Sequence, residues 1–249
     1  MSEILISNLF VSYNDIVVLQ DINICVQKGE FVSIVGLSGT GKTTLLNAIA
    51  GFIPGKGQVS ISGQIGVVFQ DYAVFHWMTV RENIAFGLDG ISREQKIQIV
   101  DRNLELIQLR HLADKYPAEL SGGQIQRVGL ARALAPEPQI ILMDEPYGAL
   151  DRHTREKMQA WLLEVWSHHQ KTVVFVTHDI EEAVFLSDRV AVLSNKTISE
   201  CFLVPFPRPR EEELKFSQDF IQLKKAILDS MRMTTLASFD GGKKYVNRN

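Results

Sequence analysis

Cysteine is nearly missing from this chain: 249 residues hold two, Cys25 and Cys201, with no paired spacing. That excludes a disulfide framework or a cysteine-based zinc site and fits reduced thiols in a cytosol. Long apolar runs are missing too. Stretches such as VVFV at 173–176 and IILM at 140–143 fall far short of the ~20 residues a membrane helix needs. Residues 1–10 have neither a basic start nor a cleavable apolar core, so the chain is expected to be soluble by itself, with any membrane role supplied by a partner. Neither charge sign dominates. A net charge of −3 gives no broad basic field to advertise nucleic acid or an anionic membrane, and no nucleic-acid partner is expected. Internal repeats and low-complexity tracts are also absent.

What is present fits one large α/β domain or two small units with a real core, since 45% of the residues are hydrophobic and 22% charged. Strand-like runs recur at 4–13, 31–35, 57–62, 65–70, 139–145, 171–178 and 189–194. Several are apolar on both faces, as buried parallel strands are, so a mixed sheet follows. Between Gln70 and Ile140 the pattern turns helical. Ser92 with Gln95 reads as a capping box, followed by Ile97, Val100, Leu104 and Ile107 on one face. After Pro205, FPRPR at 206–210 makes an extended break. Phe216, Phe220, Leu223, Ile227 and Met231 then form a stripe at helical spacing, read as a helix packed on the core or as a partner-binding helix, and residues 239–249 read as frayed. The expected organisation is one domain over 1–204, with a core at about 1–70 and 136–204 around a helical insert at about 71–135. An extended segment, helix and tail occupy 205–249.

Three motifs carry chemistry. Gly36 to Thr44 reads GLSGTGKTT and matches the phosphate-cradling pattern G-x-x-x-x-G-K-[ST] at Gly36, Gly41, Lys42 and Thr43. An apolar run, 30–35, precedes it, and a helical stretch stopped by Gly51 follows. In that setting Gly39 and Gly41 let backbone approach an anion, and the helix start presents N–H groups with the favourable end of the dipole. Lys42 supplies a point charge, and Thr43 offers a hydroxyl to a magnesium ion bridging the last two phosphates. The second motif is QIILMDEP, 139–146, an apolar strand ending in two carboxylates. At the carboxyl edge of a parallel sheet, Asp144 can hold the magnesium shell through water while Glu145 faces the attacking water; the plainer alternative is a solvated strand end. The third is LSGGQ, 120–124. Ser121 and Gln124 form a capping box, and Gly122 and Gly123 leave the helix start bare, which makes a second anion site. One phosphate loop has no obvious use for it, whereas two copies of the chain do: the anion site of one closes over the nucleotide held by the other.

GLSGTGKTT, the glutamine of VVFQD, LSGGQ, ILMDEP, GALD and VTHD stand in the order and spacing of an ATP-binding cassette (ABC) ATPase, and the resemblance covers about residues 4–194. It implies a P-loop NTPase core with a mixed sheet, an antiparallel β portion and a helical subdomain. It implies ATP and magnesium as ligands, with Ser38 and Thr44 completing the phosphate loop. It also implies that Tyr13 stacks on the adenine, that Gln70 contacts magnesium and water, and that Ser121 and Gly123 bind the γ-phosphate held by a second copy. Asp151 would line the dimer seam, and His178 would contact the γ-phosphate. From the residues alone, Tyr13 reads equally as a strand aromatic, Gln70 as a strand end, Asp151 as a helix cap and His178 as a structural histidine.

Within that family the chain is similar to the ATPase subunits of bacterial nitrate, sulfonate and taurine importers. The residues carrying this are 67–88, 116–134, MDEPYGALD and FPRPR. His76 stands where relatives tend to have proline before the tryptophan, and Tyr147 where they have phenylalanine. The similarity implies a transmembrane permease docking near Tyr72 to Val80, an extracytoplasmic solute-binding protein and a peripheral place on the cytoplasmic face of the cell membrane. The same segment reads alternatively as packing of the helical insert. Two rivals lack support: a repair or translation cassette would need coiled-coil inserts or a second cassette, and intact Lys42, Glu145 and His178 argue against a nucleotide-gated module without turnover.

Overall fold

The computed structural model describes residues 2–240 except 149 and 170. The chain divides into two compact units. One comprises Gln27–Glu30 and Ser62–Phe175; the other comprises Ser2–Val26, Phe31–Ile61 and the chain from Val176 on.

In the first unit, strands β5 (Ile65–Val68), β6 (Ile140–Asp144) and β7 (Thr172–Thr177, inside which the division falls) lie side by side in that order. β6 and β7 are buried at every position, as expected for strands covered on both faces. β5 and β6 are parallel, with Ile65 opposite Ile140 and Val68 opposite Met143. The chain between β5 and β6 is helical: α2 (Val80–Ala85), α3 (Arg93–Leu106) and α4 (Gly122–Leu134). All three start at capping boxes, Thr79 with Glu82, Ser92 with Gln95 and Ser121 with Gln124. Along α3 the expected inner face holds at Val100, Leu104 and Ile107. Ile97 departs from it and is 48% exposed; it lies ahead of Val100, the first buried residue of the helix. Helix α5 (Arg152–His169) follows β6.

The second unit holds β3 (Phe31–Val35), β8 (Arg189–Ser194) and β9 (Thr197–Leu203) in that order, and a separate sheet of β2 (Ile16–Gln27), β1 (Ser2–Tyr13) and β4 (Lys56–Ile61). β3 and β8 are parallel, β8 and β9 antiparallel, and β1 and β4 antiparallel. Neither β2 nor β9 is among the strand-like runs of the sequence. Helix α1 (Lys42–Ile49) leaves β3 and ends where Gly51, at φ +75°, donates its N–H to Ala48. Helix α6 (Ile180–Leu186) packs on β3 and on α7 (Gln218–Asp240). Phe220, Ile227 and Met231 of α7 are buried, so the core-packed reading of the stripe is the one realised. Phe216 falls outside it, 77% exposed, because residues 212–216 form a separate short 3-10 turn. Residues 239–240 belong to α7; the rest of the tail expected to fray, 241–249, lies outside the described residues.

Candidate functional site

The phosphate loop belongs wholly to the second unit. It leaves the buried strand β3 and enters α1 at Lys42. Two glycines make the turn possible. A Cβ at Gly36 would sit 2.5 Å from the backbone oxygen of Leu193 at the end of β8, and Gly41 has φ +101° with the side chains of Val18 and Leu19 closing over it; such positions admit glycine alone without strain. Lys42 is 5% exposed, and its Nζ donates to the carbonyls of Gly36 (3.0 Å) and Leu37 (3.2 Å), which ties the loop closed around its own charge. Ser38, Gly39 and Thr43 lie on the exposed side, with Thr44 half-buried. Gly41 supplies no side-chain cap to α1, which leaves the capping place at this helix start to a ligand of the kind helix N-termini bind, an anion. This arrangement fits a triphosphate.

Tyr13, at the end of β1, is 48% exposed. His178 follows Thr177, the last residue of β7, and is exposed. Its neighbours are anchored on α6: Asp179 caps the helix through Glu181 N (2.8 Å), and Thr177 Oγ1 donates to Glu182 Oε2 (2.8 Å).

In the first unit the parallel register of β5 and β6 brings a second group together. With Val68 opposite Met143, Gln70, two residues past the end of β5, and Asp144–Glu145, the last residue of β6 and the one after it, reach the same carboxyl edge. Asp144 is buried and Glu145 half-buried at φ +41°. Tyr147, two residues on, packs its ring 5.7 Å from Phe175, holding the turn against the sheet. Ser121 caps α4, accepting from Gln124 N (3.4 Å) while its own N–H donates to Gln124 Oε1 (2.8 Å). Gly122 is exposed and Gly123 buried. Asp151 precedes α5 and accepts from Thr154 N (3.0 Å) and Thr154 Oγ1 (2.7 Å). These bonds, the side-chain one foremost, hold its carboxyl below the usual aspartate range. Asp151 is thus a helix cap in the folded chain. Among the described residues no group of three or more His, Cys, Asp or Glu could cage a metal ion. That fits magnesium, which takes one or two protein ligands plus phosphate oxygens and water.

The segment after Gln70 is held by residues the sequence did not single out. Tyr72 and Ala73 both have positive φ (58° and 46°). Buried Asn83 pins the loop, accepting from Phe75 N (2.8 Å) and donating to the carbonyls of Phe75, Met78 and Thr79. The guanidinium of Arg132 donates to Ala73 O and lies 4.2 Å from the Phe75 ring centre and 5.1 Å from that of Phe86. Burial lowers its pKa from the ordinary arginine value. A groove of about 320 Å³ opens here, lined by Phe69, Tyr72, Phe86, Gly129 and Arg132 among others. The Tyr72 hydroxyl is buried with no hydrogen-bond partner among the described residues, and burial, with Asp71 nearby, raises its pKa. Trp77 is 72% exposed beside Phe75, ring centres 5.1 Å apart. Of these anchors, Thr79 with Glu82 carries a T-x-x-E signal that the sequence reading passed over; Asn83 and Arg132 leave no pattern.

A glycine-rich loop between the buried strand β3 and a helix, in a chain whose buried parallel strand β6 ends in Asp144 followed by Glu145, defines a P-loop ATPase. The profile of the ABC transporter family matches residues 19–148. The nitrate import ATP-binding protein NrtD of Synechococcus elongatus is 42% identical over 230 residues, 86% of this chain and 84% of that protein. The bicarbonate transport ATP-binding protein CmpD of Synechocystis sp. is 40% identical, over 85% and 81%. Among solved structures, the dimeric post-hydrolysis state of the ATP-binding cassette MJ0796 bound to ADP and Pi aligns with a TM-score of 0.72 at 33% identity, over 82% of this chain and all of that one. CbiO1 of Clostridium perfringens, part of the transporter complex cbiONQ, aligns with a TM-score of 0.77 at 26% identity, over 95% and 99%. The chain belongs to the ABC transporter family: it is an ATP-binding subunit and an ATPase that works with ATP and magnesium. Among the described residues no helix is long and apolar enough to cross a membrane.

Proposed function

We propose that this subunit drives an importer of small anions of the nitrate, sulfonate or taurine kind, working as a head-to-tail pair at the cytoplasmic face of the cell membrane with a separate permease and a solute-binding protein. The importer reading rests on the similarity to NrtD and CmpD along six-sevenths of the chain. The catalytic reading rests on the shared sheet edge of Gln70, Asp144 and Glu145. The domain division in this reading is an ATPase domain over 1–204 with its helical insert at 71–135.

The residues divide the work as follows. Gly36, Ser38, Gly39, Gly41 and Thr44 shape the cradle, and Lys42 exchanges its loop carbonyls for phosphate oxygens. Thr43, Gln70 and Asp144 would hold the magnesium ion, which would supply neutralisation of the phosphate charge. Tyr13 stacks on the base. Glu145 takes the proton of the attacking water, and His178 donates to the γ-phosphate. Ser121, Gly122, Gly123 and Gln124 of the second copy close the site, with Asp151 at the seam. The groove beside Tyr72 to Val80 receives the permease: an exposed Trp77, a pinned loop and a buried hydroxyl lacking a partner describe a surface prepared for one.

The test is Glu145→Gln. It should keep ATP binding, slow hydrolysis by roughly 10²–10⁴ and let an ATP-bound dimer accumulate, read by steady-state turnover and by size-exclusion with ATP. Turnover close to wild type would remove Glu145 from the mechanism.

A further inference from the structure

The FPRPR segment, 206–210, takes no part in the site described above, yet it contains the buried arginine Arg210, 9% exposed. Arg210 Nη1 donates to the carbonyls of Val184 (3.1 Å), Phe185 (2.9 Å) and Ser187 (2.8 Å), and its Nε and Nη2 donate to Phe206 O (3.2 and 3.0 Å). Arg208 Nη2 donates to Leu186 O (2.6 Å) and to Asp188 Oδ1 (2.9 Å). Two guanidinium groups thus collect the terminal carbonyls of α6, the groups a helix end leaves unsatisfied, and place positive charge at the negative end of its dipole. Phe206 stacks on Phe220 of α7, ring centres 5.8 Å apart, and Lys224 of α7 pairs with Glu181 at 2.6 Å.

Helix α6 has only seven residues, too few to hold its shape in isolation. Its other end carries His178. The residues on either side of that histidine are both fastened to α6, Thr177 through Glu182 and Asp179 through the N–H groups of Glu181 and Glu182. Whatever fixes the far end of this short rod therefore fixes the backbone from which His178 projects. A lysine at position 210 keeps the charge but cannot serve three carbonyls and Phe206 at once, because the planar fork is lost.

We infer that Arg210, assisted by Arg208, is a positioning residue for His178, acting through α6 as a clamp on the helix end opposite the histidine. The inference rests on the proposed role of His178 at the γ-phosphate. A displaced catalytic group costs rate without costing substrate binding.

The experiment is a double-mutant cycle on the full chain: Arg210→Lys, His178→Ala and the pair, with single-turnover and steady-state ATP hydrolysis, nucleotide affinity and Tm. Arg210→Lys should lower kcat by about three- to tenfold at unchanged KM and nucleotide affinity. In the His178→Ala background it should lower kcat no further. The same fractional loss in both backgrounds, or a fall in Tm with wild-type kcat, would overturn the clamp and leave the role of His178 standing. Wild-type kcat in His178→Ala alone would instead sink that role, and the clamp with it. Should Arg210→Lys fail to fold, Arg208→Lys carries the same cycle through Leu186 and Asp188.

Discussion

Two glycine-rich helix starts on this chain look alike in sequence and differ in how they are satisfied. At the phosphate loop, α1 begins without a side-chain cap, and its first residue, Lys42, is buried against carbonyls of the loop itself. At LSGGQ, α4 begins with a full capping box between an exposed Ser121 and Gln124. The first start is prepared for an anion and has little else to do. The second is stable as it stands, and its longer serine bond, 3.4 Å, is one that a phosphate oxygen can replace. An uncapped start on one side and a self-capped start on the other is the asymmetry that the proposed pairing of two copies requires.

The largest effect should come from the uncapped side. Lys42→Ala removes a preorganised cation, which typically costs ~2.7–4 kcal/mol at the transition state, about a hundred- to a thousandfold in turnover. ATP affinity should fall with it. Titration calorimetry showing unchanged affinity would contradict the cradle and erase the contrast.

The self-capped side should show a smaller, two-part effect. Ser121→Ala should destabilise the fold by about 1 kcal/mol through loss of the cap, read from denaturant midpoints. Ser121→Arg should remove ATPase activity from the homodimer, yet mixing it with Lys42→Ala subunits should restore part of that activity, since one composite site then has two intact halves. Normal hydrolysis by the Ser121→Arg homodimer would make LSGGQ a helix cap and nothing more.

The smallest effect on the isolated subunit should be that of Trp77→Ala. An exposed side chain of this kind contributes within about 0.5 kcal/mol to stability, so fold and basal ATPase should hold. Assembly with the permease should weaken by about 2 kcal/mol or more if Trp77 is an interface anchor. A lowered Tm with assembly intact would assign Trp77 to packing within the helical segment.

What the sequence missed has physical causes that can be named. In β2 the buried residues run Leu19, Ile22, Ile24, Val26. The alternation is interrupted once at Asp21, which has φ +52°, and a single irregular residue shifts the phase of a period-two pattern and hides it. β9 is an edge strand whose side chains are mostly exposed or half-buried, so it has no periodicity to read and is defined only by its pairing with β8. The buried strands β3, β6, β7 and β8 were legible because continuous apolar runs announce them. The capping boxes at Ser92 and Ser121 were legible because their partners lie three residues away.

The same division holds for function. Local chemistry was written in the chain: a loop that only glycine can make, a lysine and threonine placed by the turn that carries them, two acids ending an apolar strand, a serine capping its own helix. Contacts between distant segments were decided by the tertiary structure. The register that sets Gln70 beside Asp144 and Glu145 spans some seventy-five residues of chain, Arg132 reaches back to Ala73, and Arg210 holds the end of a helix more than twenty residues before it. Sequence spacing records bonds within a turn or two of helix, since geometry there is fixed by the backbone. Bonds closed across long loops depend on how whole elements pack, and no short pattern of residues encodes that.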